Sequence, residues 1–120
     1  MTDPIRVCAV TDLFPGEGIR ITSVSPPLAV FLTEEGEIHA VDDTCTHQDA
    51  SLADGWVEDC TVECPLHASR FDLRTGAVDG PPAKAPIRVH EVQLDGQDVL
   101  VTLSTATPHL PPGVVHPQPR

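Results

Sequence analysis

Tyrosine is absent from this chain of 120 residues, and Phe, Trp and Met number only three, one and one. Any core must therefore be built from aliphatic side chains. Cations are scarce as well: seven Lys plus Arg stand against eighteen Asp plus Glu, a formal net charge of −11. So few cations exclude nucleic acid as a partner, since phosphate binding relies on clustered Lys and Arg. They equally exclude an anionic membrane surface. No apolar run approaches the roughly 20 residues of a membrane-spanning helix. Met1-Thr2-Asp3-Pro4 lacks the cationic and apolar regions of a secretory leader, so the expected location is the cytoplasm. Thiols stay reduced there, which makes the four cysteines metal ligands or small buried hydrophobes rather than disulfides. Thirteen prolines work against long helices.

What remains is a single domain, long enough to bury about two-thirds of its unfolded surface. Short β-type segments alternate with turn residues, which predicts an all-β sandwich or barrel. Strands are expected at Ile5 to Val10, Ile19 to Thr22, Leu28 to Leu32, Glu37 to Val41, Ile87 to Leu94 and Val99 to Leu103. Thr33-Glu34-Glu35-Gly36 and Asp95-Gly96-Gln97-Asp98 read as hairpin turns. The stretch from Asp42 to Pro86 differs: it holds three of the cysteines, and only Thr61 to Glu63 and Arg70 to Asp72 look like strands. Residues 104–120 form a Pro-rich tail, expected to be extended or disordered.

Two compact pairs carry the chemistry. Cys45-Thr46-His47 and Cys64-Pro65-Leu66-His67 are separated by sixteen residues, each in a turn-rich stretch beside a predicted strand. Two thiolates and two imidazoles can converge from such loops on a structural Zn²⁺ or on a [2Fe–2S] centre. A structural zinc site usually groups like residues together. Here each loop offers one Cys and one His, which suits gripping two different metal ions and favours the two-iron cluster.

With Ala50-Ser51-Leu52-Ala53-Asp54-Gly55, Glu63 before the second pair, and Phe71-Asp72 and Thr75-Gly76 after it, the chain resembles a Rieske-type ferredoxin. The resemblance spans roughly Ile5 to Leu103 and is strongest to the small ferredoxins of bacterial aromatic-ring-hydroxylating dioxygenase systems. Gly80-Pro81-Pro82-Ala83 is similar to the proline loop that covers the family's cluster. The resemblance implies a Rieske domain over residues 1–103: a β-sandwich or barrel-like base with a cluster-binding subdomain inserted at about 42–86. It implies one [2Fe–2S] cluster per chain, with Cys45 and Cys64 on the inner iron and His47 and His67 on the outer, reducible one.

The implied role is one-electron transfer without catalysis: a flavin-containing NAD(P)H reductase supplies the electron and a terminal Rieske oxygenase receives it. Two other readings of the same pattern are the Rieske-like small subunit of an assimilatory nitrite reductase and a zinc-stabilised binding module without redox function. High-potential relatives carry a disulfide between the loops and a Tyr hydroxyl donated to a ligand sulfur. Ala50, Leu66 and Phe71 stand at those positions, so the resemblance implies a low potential for the class. Ser69 stands where high-potential members donate a hydroxyl to a bridging sulfide, and pulls the other way.

The remaining candidates read as structural. Cys8 and Cys60 are expected to be small buried hydrophobes. His39 and His90 are expected to be structural or surface residues, and His109 and His116 inert tail residues. Trp56 is expected to shield the cluster or pack on a sheet. Asp42, Asp43, Asp49 and Asp54 are expected to form mostly a solvated acidic face.

Overall fold

A computed structural model describes residues 3–46, 50–66, 69–79, 83 and 85–111. Ten strands and two 3₁₀ turns make up its regular structure, and among the described residues there is no α-helix. The larger sheet has six strands: β1 (Ile5–Ala9), β2 (Glu17–Ile21), β3 (Leu28–Leu32), β4 (Ile38–Asp42), β9 (Val89–Asp95) and β10 (Asp98–Thr102). Their spatial order is β1-β10-β9-β4-β3-β2. The smaller sheet runs in chain order through β5 (Trp56–Glu58), β6 (Thr61–Glu63), β7 (Arg70–Asp72) and β8 (Val78–Asp79). Every strand pair in both sheets is antiparallel. The expectation of an all-β fold with an insertion between β4 and β9 is met.

Local chemistry explains the pairings. Gly36 at φ 91° closes the β3–β4 turn, where its N–H donates to Thr33 O at 3.0 Å. Strand β9 is a corner: Val89 and His90 pair with β4, while Glu91 to Asp95 pair with β10. β5 and β8 were not expected from the sequence. They are three and two residues long, too short for an alternating pattern to register. The β5–β6 turn also lacks a glycine and instead bends at Asp59, at φ 55°. Asp is among the few L-residues that enter that region readily.

The insertion does not have its own separate core. β3 buries both faces, as its unbroken apolar run Leu-Ala-Val-Phe-Leu requires. Leu28 and Val30 face Cys8, Ala40, Val99 and Val101 in the core of the base. Ala29 and Phe31 face the other way, with Val41, into a cluster holding Leu52, Val62, Phe71 and Leu73 of the insertion. Gly76 joins the layers at a second point. It sits at φ 79°, where an added Cβ would lie 2.1 Å from Ile87 O.

A buried ionic latch completes the base. Asp42 accepts from Arg88 Nε at 2.9 Å and from His90 Nε2 at 2.9 Å. His90 Nδ1 accepts from the Ser104 N–H, so the imidazole proton must sit on Nε2, toward Asp42. Burial alone would push the Asp42 carboxyl up, but hydrogen bonds from His90 and Arg88 outweigh it and hold it below its usual range. Arg88 Nη1 also donates to the carbonyls of Ser104 and Ala106, and His109 Nδ1 donates to Pro86 O. The start of the tail is thus strapped down over residues 104–109, and Pro111 is buried. Asp42 and Asp43, 3% and 1% exposed, are not a solvated acidic face. Arg88, just before β9, and His90, within it, are two residues apart and both reach Asp42.

Asp42→Asn should cost about 3–5 kcal/mol in urea denaturation at pH 7, because Arg88 is left buried without its counter-charge. Asp42's carboxyl is lowered in the folded state, so its contribution is present above its ordinary value of 3.8 and fades as pH falls through the folded value. The gap between wild type and variant should therefore narrow on acidification. A gap under about 1 kcal/mol at pH 7 would refute the latch.

Candidate metal centre

Two loops rise from the junction of the sheets, each closed at its base in the same way. After β4, the Cys45 N–H donates to Ala50 O at 3.0 Å, and the Leu52 N–H to Asp43 O at 2.7 Å. After β6, the Cys64 N–H donates to Ser69 O at 2.7 Å, where Glu63 and Arg70 begin the β6–β7 ladder. Each loop thus begins at a cysteine and is tied to the residue five positions on. Cys45 and Cys64 are 0% and 1% exposed and belong to one buried apolar cluster. Leu66, two residues beyond Cys64, is 59% exposed. His47 and His67 fall within these loops by sequence but lie outside the described residues, as do Asp49 and Gly80 to Pro82.

A third segment stitches the loops together. Ser69 Oγ accepts from the Ala83 N–H at 3.0 Å, and Thr46 Oγ1 donates to Ala85 O at 2.7 Å. The residues just after the prolines therefore hold one contact with each cysteine loop. Ser69 is buried, and its bond to Ala83 uses a lone pair, which leaves the hydroxyl proton free to donate.

Asp43 fastens the first loop from beneath. Its Oδ1 accepts from Ser51 Oγ at 2.8 Å and from the Ala53 N–H at 2.9 Å. Arg20 Nε lies 3.0 Å from Oδ2 but off the line a hydrogen bond needs, so that oxygen is held by charge alone. Burial pushes the Asp43 carboxyl up despite these partners. Gly55 closes the following turn against β6, where an added Cβ would lie 2.1 Å from Glu63 O.

Other residues meet expectation in part. Trp56 is 62% exposed on β5, so it is not enclosed in the core. Cys8 is a buried core residue as expected, but Cys60 is half-buried with Sγ 3.5 Å from His39 Nε2. His90 is buried in the latch, and His116 lies outside the described residues.

Two buried cysteines stand at the bases of matched loops, and each loop has one histidine in its sequence, the residue types expected of a donor set for two metal ions. Comparison with known families decides which ions these are: the Rieske [2Fe-2S] domain profile matches residues 3–103. This chain belongs to the Rieske [2Fe–2S] family. Its cofactor is one [2Fe–2S] cluster per chain, not a structural zinc. The Rieske chain is 42% identical over 105 residues to the 3-phenylpropionate/cinnamic acid dioxygenase ferredoxin subunit of Escherichia coli, covering 87% of this chain and 97% of that one. Among solved structures it resembles the Sphingomonas yanoikuyae B1 ferredoxin, at TM-score 0.79 and 32% identity, covering 85% of this chain and all of the other. It also resembles a chain of the complex of reduced oxygenase and oxidised ferredoxin in carbazole 1,9a-dioxygenase, at TM-score 0.76 and 35% identity, with 85% and 94% covered.

The Rieske reading makes Ser69 testable. Phe71 is buried and offers no hydroxyl, so Ser69 is the candidate side-chain donor that favours the reduced cluster. The wild-type potential is expected near the low end for Rieske centres, about −150 mV. Ser69→Gly should lower it further by on the order of 40 mV, the one-electron equivalent of a hydrogen bond worth about 1 kcal/mol. Protein-film voltammetry at neutral pH measures both. An unchanged potential in the variant would remove Ser69 from the account.

Proposed function

We propose that this protein carries single electrons in the cytoplasm for an aromatic-ring dioxygenase system, taking each from a flavin-containing NAD(P)H reductase and passing it to a terminal Rieske oxygenase. Cys45 and Cys64 hold the inner iron in this reading, and His47 and His67 the outer iron. The bound cluster supplies a site that accepts and returns one electron. The protein's own residues position it, insulate one side and leave the other accessible.

The observation that carries the reading is the burial gradient across the second cysteine loop. The thiol of Cys64 lies in an apolar cluster with Phe71 and Val62, shut off from water. Within two residues the chain reaches solvent at Leu66. His67 follows Leu66 directly in the sequence. An imidazole ligand within reach of solvent would let a partner approach the reducible iron closely, and a neutral imidazole in place of thiolate raises the potential above that of an all-Cys cluster. No group in this arrangement is assigned substrate chemistry, and the protein is read as a carrier, not a catalyst.

Charge supports transient docking. The cluster's core charge cancels the two thiolates in the oxidised state, so the loaded protein stays near its formal −11. Exposed carboxylates of Glu58, Asp59 and Asp79 line a shallow cleft beside Trp56 and the Arg70–Asp79 ion pair. An acidic rim steers association with a basic partner, and salt screens that steering.

The test is anaerobic electron transfer followed by visible absorption. NADH with a flavin-containing dioxygenase reductase should bleach the loaded protein, and oxidised terminal oxygenase should restore its colour. The second step should slow at least several-fold between low and high salt. A protein that the reductase cannot bleach, or one that keeps its electron in the presence of the oxygenase, would contradict the proposal.

A further inference from the structure

Away from the cysteine loops, three metal-ligating side chains converge where the base meets the insertion. Glu37 directly precedes β4, His39 lies near its start, and Cys60 comes from the β5–β6 turn. Cys60 and Cys64 flank the two ends of β6, so their Cα atoms are about 13 Å apart at the usual rise of a strand. His39 Nε2 lies 2.9 Å from Glu37 Oε1 and 3.5 Å from Cys60 Sγ, and the sulfur lies 4.0 Å from the same carboxylate oxygen. All three residues are partly buried.

The convergence is not that of a nucleophile and its base. A relay places its two partners on opposite nitrogens of the imidazole. Here thiol and carboxylate both meet Nε2, which can offer only one proton or one lone pair. Nor does the carboxylate need these neighbours. Arg74 Nη2 holds Glu37 Oε2 at 2.7 Å, and Arg74 Nε reaches Oε1 at 3.2 Å.

The three donors also match the edges of a metal site. Tetrahedral zinc with ordinary bond lengths would separate N from O by about 3.4 Å, and would place S about 3.6 Å from each. The observed edges of 2.9, 3.5 and 4.0 Å lie within about half an ångström of that triangle. Soft thiolate with imidazole and carboxylate is a zinc-type donor set. Arg74 Nη2 would remain on Oε2 and orient the carboxylate, while the longer Nε contact gives way. Two anionic ligands, the guanidinium and a divalent ion leave one net positive charge in a strongly acidic protein.

We propose that Glu37 Oε1, His39 Nε2 and Cys60 Sγ form a second metal site, separate from the iron–sulfur centre, that binds one Zn²⁺ with water at the fourth position. An ion there pins the β3–β4 hairpin of the base to the β5–β6 hairpin of the insertion. The site uses none of the residues assigned to electron transfer, so its failure would leave that reading standing.

The experiment uses tag-free protein with its cluster loaded, dialysed against chelator-buffered Zn²⁺ at about micromolar free metal. Zinc and iron are then counted by mass spectrometry. The wild type should hold one zinc beside two iron per chain. Cys60→Ser and His39→Gln should each lose at least nine-tenths of that zinc, with iron content and visible spectrum unchanged. Co²⁺ in place of Zn²⁺ should add a thiolate charge-transfer band to the difference spectrum, absent in Cys60→Ser. Should Cys60→Ser fail to keep its iron, His39→Gln, which retains the thiol, decides. Wild type without zinc, or variants that bind as much as wild type, would overturn the site.

Discussion

Two backbone hydrogen bonds, from the Cys45 N–H to Ala50 O and from the Cys64 N–H to Ser69 O, are the constraint on which the rest of the molecule converges. Each turns an otherwise irregular stretch into a closed loop with a fixed base. A bond of that kind is worth only about 1 kcal/mol on its own, so the loops must be rooted in something more rigid. The first is rooted in β4 and braced by the Asp43 carboxylate, the second in the β6–β7 ladder. Both roots meet on the apolar cluster that Phe31 and Val41 share with Phe71 and Leu73. β3 is thus the centre of the structure, because one of its faces supports the base and the other supports the metal centre.

The sheets and the metal centre differ in how openly they are written in the chain. Leu28–Leu32 was readable to the residue because a run buried on both faces is continuous and ends at turn residues. The Cys45/His47 and Cys64/His67 pairs stand out in the sequence because ligand chemistry demands particular residue types at short spacing. β5 and β8 were not, since two or three residues carry no period and Asp59 turns the chain without a glycine. The buried roles of Asp42 and Asp43 were hidden for a different reason. Carboxylates beside loops are usually solvated, and only partners distant in sequence, Arg88, His90 and Arg20, make burial tolerable. Cys60 and His39 are of the same kind, unremarkable in sequence until the fold places them 3.5 Å apart.

Charge in this protein works at two depths. At the surface, unpaired carboxylates set the sign of the long-range field and the kind of partner that can approach. Inside, the few cations are placed where a buried carboxylate would otherwise be unpaired: Arg88 on Asp42 and Arg20 near Asp43. With only seven Lys and Arg in the chain, this leaves little positive charge to weaken the acidic exterior. The result is a buried pair of cysteines inside a molecule whose strongly acidic exterior is the basis of the proposed screened, reversible docking.

In the proposed arrangement, each closed loop contributes one cysteine and one histidine to a single two-iron centre. Pulsed electron paramagnetic resonance of the dithionite-reduced protein, grown with ¹⁵N-histidine, tests it most directly. Two strongly coupled ¹⁵N nuclei are predicted, both retained in Cys8→Ser and one lost on replacing His47 or His67. A reduced cluster with no strongly coupled histidine nitrogen, or couplings that survive both histidine replacements, would contradict the account.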